Sequence, residues 1–239
     1  MTLRSIGRLT ATAAAAAAGA YAANAAVTFA RYGRPRQPGP DETDELLDRF
    51  MPVYDVVERH HVRVAAPAAV TLATAKESDM FDSPVARAIF KGRELLLGSA
   101  PDDRERPKGM LAITTALGWG ILAETPDREV VVGAVTKPWE ANPVFRSLPA
   151  PEFAAFDEPD YVKIVWTLRA DALDSGESIF RTETRAVATD AEARRQFRRY
   201  WALLSPGISL LRWISLGPLK KEAERRARTH APAQPAAAS

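Results

Sequence analysis

The apolar period of this chain changes once, between residues 178 and 211, and that change narrows the folds open to it. The stretch SIFRTETRAVATD alternates strictly. It sets Phe180, Thr182, Thr184 and Ala186 on one face and Ile179, Arg181, Glu183 and Arg185 on the other, the spacing of a strand. Past Thr189 the period becomes helical. Phe197, Trp201, Leu204, Ile208 and Leu211 follow at intervals of four, three, four and three, a continuous apolar stripe. Arg194, Arg195, Arg198 and Arg199 take the other side. Thr189 with Glu192 makes a capping-box pattern, and Asp190 adds negative charge to the first turn, so the helix is expected to begin there. Pro206-Gly207 predicts a kink or a break, and Gly217-Pro218 a second. A strand that runs directly into a long amphipathic helix needs strand neighbours and an apolar surface for the helix to cover.

The neighbours are legible upstream. YVKIVWTLRADAL puts Val162, Ile164, Trp166 and Leu168 on one face and joins the next strand through DSG, a hairpin. WGILAET and REVVVGAVTKP flank Pro126-Asp127 as a second hairpin. In PVYDVVERHHVRVAA, the residues Tyr54, Val56, Glu58, His60, Val62 and Val64 share a face that should point inward. Pro67 opens a short helix. Ser83 and Pro84 cap and start another, with Val85, Ile89 and Leu96 along one side and Gly98 at its end. SAPDDRERPKG reads as loop. WEANPVFRSLPAPEFAAFDEPD is long for a loop, and its four prolines and four aromatics predict a segment that is functional or tied down by its own rings.

Charge is distributed unevenly. Residues 1–36 carry five arginines and no acid, and residues 191–230 carry ten Lys/Arg against three Glu. The total is only +2, which leaves the body between them at −10. An acidic body argues against nucleic-acid binding, while a local basic face can still meet an anionic membrane. The N-terminal segment has 22 consecutive uncharged residues between Arg8 and Arg31, long enough for a membrane span, though alanine makes insertion marginal. A cleaved signal peptide, an uncleaved anchor and an alanine-rich leader all fit. The expected organisation is a hydrophobic anchor or signal segment over 1–36, a Pro/Gly-rich then acidic linker over 37–49, one domain over 50–227 and a tail over 228–239. The expected location is at a membrane through the N-terminal segment, or outside the cell after cleavage.

The order of short strand, two small helices, antiparallel strands and long final helix resembles the helix-grip domain of the START-like (SRPBCC) superfamily. That superfamily includes polyketide cyclase/dehydrase-like and lipid-transport proteins. VRVAAPAAV looks like its first strand entering an Ala-Pro helix start, and RTETRAVATDAEARRQFRRYW like its last strand entering the terminal helix. The resemblance implies an α+β fold in which a curved antiparallel sheet wraps a long C-terminal helix, with a cavity for an apolar or aromatic ligand between them.

Chemistry has to come from sites, because one fold hosts many activities. The chain has no cysteine, no G-x-S-x-G elbow, no H-E-x-x-H pair and no Gly-rich phosphate loop. His60 and His61 are adjacent on a strand and point to opposite faces, so they cannot chelate one metal together. No cofactor and no metal are expected. Glu58 and His60, two apart on the inward face, are the candidates for acid/base work, and otherwise they satisfy each other by hydrogen bonding. The expected cavity wall is Val56, Val62, Trp119, Ile164, Trp166, Phe180, Thr182 and Trp201. Arg181, Glu183 and Arg185 read as a solvated ion-pair ladder, and Arg194, Arg195, Arg198 and Arg199 as a face toward a membrane surface. Three functions remain open: a carrier of a hydrophobic small molecule or lipid, a cyclase/aromatase-like enzyme, and a protein-interaction domain.

Overall fold

The computed structural model describes residues 3–79, 83–99, 107–174 and 176–230. The chain begins with helix α1 (Leu3–Arg31) and a short turn of helix α2 (Glu45–Asp48). Strand β1 (Val56–Val64) and helices α3 (Ala68–Glu77), α4 (Pro84–Leu97) and α5 (Met110–Ala116) follow. Next come β2 (Gly120–Thr125), β3 (Glu129–Thr136), α6 (Ala150–Ala155), β4 (Val162–Ala172), β5 (Ser178–Ala188) and α7 (Ala191–His230). All strand pairs are antiparallel, in the order β1-β5-β4-β3-β2. With α7 laid along one face, this is the α+β helix-grip arrangement. The tail over 231–239 lies outside the described residues.

Both expected hairpins form. Asp127 takes a positive φ of 57° in the turn between β2 and β3, a conformation open to Asp at modest cost. Ser83 accepts a hydrogen bond from the Ala86 amide at the start of α4, and Gly98 closes that helix in the left-handed region. Along α4 the buried residue is Ala86, while Val85 and Leu96 are exposed. The cap of α7 shifts by one residue. Asp190 accepts from the Ala193 amide at 2.8 Å, while the Thr189 hydroxyl exchanges hydrogen bonds with the backbone of Tyr161. Pro206 and Pro218 do not divide α7, which runs through both. Packing along its length compensates for the lost backbone bonds, and Gly207 presents no side chain where Ile89 of α4 approaches. A short helix, α6, arises where loop was expected, and α5 follows the expected loop at 99–109.

The main difference from the expected fold is that the sheet is buried on both faces. On the α7 side, Val130, Val132, Trp166, Leu168 and Phe180 pack with Leu72 of α3 and Leu216, Leu219 and Ala223 of α7. On the other side, Val131, Val135 and Val165 pack with Leu47 and Met51 next to α2 and Phe153 of α6. Leu47 and Phe153 are fully buried, so the folded unit starts before Phe50 and takes in most of the expected linker. Every residue of β3 is buried, as a strand covered on both faces requires. Tyr54, placed on the inward face by alternation, lies before β1 begins and packs on this second face.

That cover also changes the ion-pair ladder from solvated to buried. Arg185 is 1% exposed and Glu183 is 6% exposed. Glu183 accepts from Arg59 Nε at 2.9 Å, from Arg59 Nη2 at 3.0 Å and from Arg185 Nε at 2.7 Å. Arg185 also donates to the Met51 carbonyl and to Asp48, and stacks on the Tyr54 ring. Arg181, by contrast, pairs with Asp171 near the strand end.

A second buried acid lies on the same face. Glu129 accepts from the Thr167 hydroxyl at 2.9 Å. Burial raises its carboxyl to about 8, and the adjoining Asp44 pushes it the same way. A carboxyl raised above its ordinary 4.5 favours the folded state when protonated. Its contribution is therefore complete below about 4.5 and disappears as pH climbs through about 8. Stability should fall by on the order of a few kcal/mol between pH 5 and 9, and Glu129→Gln should flatten the fall. Urea denaturation of both proteins across that range is the measurement. Parallel curves for the two would show that Glu129 does not carry the dependence.

Candidate functional site

A cavity of about 500 Å³ opens between the sheet and the middle of α7. Its floor is Trp166 and Leu168 of β4 with Phe180 and Thr182 of β5. Leu204, Ile208, Leu211 and Arg212 of α7 form the roof, and Ile89, Phe90, Arg93 and Leu96 of α4 form one wall. Trp119 and Phe145 close another side, stacked with ring centroids 5.1 Å apart. Gly118 sets that contact. At φ +102° a Cβ would sit 2.2 Å from the Phe145 carbonyl oxygen, so the close approach requires glycine. The long Pro-rich loop is thus tied down partly by its own aromatics, and it contributes Pro143 and Phe145 to the wall. Tyr21 of α1 also reaches the cavity and hydrogen-bonds the Leu203 carbonyl of α7.

Of the expected wall residues, Trp119, Trp166, Phe180 and Thr182 line this space. Val56 and Ile164 face α7 but pack, with Val162, against Phe197 and Trp201 of its N-terminal half. Val62 packs at the edge of the main core. The strand phase is the expected one. The difference is that Phe197 and Trp201 fill the space at that end, and the void begins only where α7 carries smaller residues. Tyr200, Phe145 and the α4 side chains were not in the expected wall. Arg212 was also missed, although it stands four residues after Ile208 and continues the helical stripe.

Arg212 is the unusual group. Its Nη1 donates to Thr182 Oγ1 at 2.9 Å, and its guanidinium lies 5.9 Å from the Trp166 ring centre. Burial lowers its pKa to about 10, opposed by the charge of Glu58. It remains a cation at neutral pH. Glu58 and His60 stand together on β1 with 3.5 Å between Oε2 and Nε2. That nitrogen and the Thr184 hydroxyl are buried without hydrogen-bond partners. Thr184 and Thr182 are the cross-strand partners of Glu58 and His60. Neither Glu58 nor His60 is part of the cavity wall.

The arginines at the start of α7 are outside the cavity, and three of them have partners in the protein. Arg194 pairs with buried Asp55 at 2.6 Å and lies over Tyr32. Arg198 donates to the Phe29 carbonyl at 2.8 Å and lies over the Phe29 ring. Being four apart, they face α1 together. Arg195 pairs with Glu192, and Arg199 is exposed. Among the described residues the helix long and apolar enough to cross a membrane, by length and composition, is α7 rather than the expected α1.

No family model matches the chain, and no curated protein does. Among solved structures it is similar to a hypothetical protein from Helicobacter pylori, at 8% identity over 79% of this chain and 99% of the other, with a TM-score of 0.38. It is similar to norcoclaurine synthase from Thalictrum flavum in complex with dopamine and hydroxybenzaldehyde, at 9% identity over 82% and 99%, TM-score 0.31. It is also similar to the Zhui aromatase/cyclase from Streptomyces sp. R1128, at 16% identity over 73% and 97%, TM-score 0.24. Similarity at this level assigns neither an activity nor a residue's role. The helix-grip description rests on the chain's own strand order and terminal helix.

Proposed function

We propose that this chain is a membrane-associated START-like protein that holds a hydrophobic small molecule or lipid between its sheet and α7. The cavity carries the reading. At about 500 Å³ it falls in the range that encloses drug-sized or lipid-sized ligands, and aromatic and aliphatic side chains make most of its wall. The membrane part rests on the long uncharged run of α1 between arginines, and on Leu203, Leu210 and Trp213, which α7 leaves exposed. A cyclase/aromatase-like enzyme is the second reading, favoured by the Glu58–His60 pair, whose unpartnered nitrogen could move a proton.

The test is to express the full chain, wash the membranes with carbonate, and examine the purified protein by native mass spectrometry. The expected result is protein retained on the membranes and carrying a bound apolar molecule. Recovery wholly in the soluble fraction would remove the membrane part. A cavity empty in every preparation, and refusing added lipid, would remove the carrier.

A further inference from the structure

We infer that the cavity takes an amphipathic anion, an apolar body ending in a carboxylate or phosphate that pairs with Arg212. The inference rests on the cavity-binding reading above and names the chemical class of its ligand. Among the described residues, the charged groups on the cavity wall are Arg93 and Arg212, and none is a carboxylate. The other sheltered guanidiniums of the domain show what such groups normally require. Arg59 and Arg185 share Glu183, and Arg169 pairs with Asp171. Arg212 contacts a hydroxyl and an aromatic face, and among the described residues no carboxylate lies within ion-pairing distance of it.

A guanidinium presents five donors in a planar fork suited to two oxygens of one anion. One of those donors is used on Thr182. Arg212 is half-buried and lines the cavity, so an anionic head group inside could meet the fork while its tail lies against Phe180, Ile208 and Leu211. The ligand's own charge would then supply the close counter-ion that Arg212 lacks, since Glu58 acts on it only from beyond ion-pairing distance. A neutral ligand of the same shape would leave the cation buried and unpaired, which is costly in an apolar surrounding. Preference for the anion is thus built into the wall.

The test uses delipidated full-length protein and three probes with one tail: dodecanoate, dodecyl phosphate and dodecanol. Each displaces N-phenylnaphthylamine, an uncharged fluorescent apolar dye. At least one anion should bind about ten-fold tighter than dodecanol, or more. Arg212→Met should abolish that preference by weakening the anions, with dodecanol bound at least as tightly as before, and Arg212→Lys should keep part of it. The melting temperature of empty Arg212→Met should not fall, since an uncompensated buried charge is removed. Equal binding of all three probes to the unaltered protein, or a preference that survives in Arg212→Met, overturns the inference and leaves the cavity reading standing. Failure of every probe, dye included, to bind overturns both. Which anion binds tighter decides between a carboxylate and a phosphate head group.

Discussion

Replacing Glu183 by leucine should lower the free energy of unfolding by about 3–5 kcal/mol, the usual cost of removing one partner from a buried ion pair. Glu183 is the shared acceptor between two guanidiniums, those of Arg59 and Arg185. Its loss strands both of them behind Leu47, Met51 and Tyr54, with Asp48, the Tyr54 hydroxyl and backbone carbonyls as the remaining acceptors. Glu183→Gln keeps the shape and some hydrogen bonds, and should cost less. The pair should be measured by urea denaturation with the slope checked, because a changed slope would report an altered unfolded state instead. An exposed pair contributes only about 0–1 kcal/mol. A loss that small in Glu183→Leu would mean that water reaches the cluster and that the cover is not closed.

This cluster shows where sequence reasoning lost the structure. Alternation correctly put Glu183 and Arg185 opposite Phe180 and Thr182. It could not say whether the second face was wet, because charged residues at every other position are the ordinary sign of solvent. The correcting feature was in β3, where EVVVGAVT is apolar without alternation, as a strand buried on both sides must be. The segments that do the covering, around Leu47 and Phe153, are too short and too rich in Pro, Gly or acid to declare themselves as core. The cavity was half legible for a related reason. Strand phase identifies which side chains point toward α7, but not where the helix fills the space with Phe197 and Trp201 and where it leaves a void. Arg212 escaped because a single charge on an apolar stripe reads as the edge of the stripe until the opposing wall is known.

Charge inserted on either face of β3 should unfold the domain, and the comparison of two neighbours makes the point. Val131 and Val132 are both fully buried, and they point to opposite sides of the sheet. Val132→Asp would place a carboxylate against Trp166 and Leu168 on the α7 side, and Val131→Asp one against the Leu47 and Phe153 side. Each should cost upwards of about 4 kcal/mol, since neither site offers the new charge water or a partner. A sheet with one wet face would tolerate the second substitution. The packing argues against such tolerance. At Gly133, two residues along from Val131, an added Cβ would come within 2.5 Å of Leu122 Cδ1 and 3.0 Å of the Phe153 ring, so α6 is pressed onto the strand without slack. Thermal and urea melts of the two variants should therefore be similar and far below those of the unaltered protein. If Val131→Asp instead melts like the unaltered protein, residues 44–51 and α6 do not hold that face closed. The Arg59–Glu183–Arg185 cluster beneath them would then be solvated as well, and the two results would fail together because they depend on the same cover.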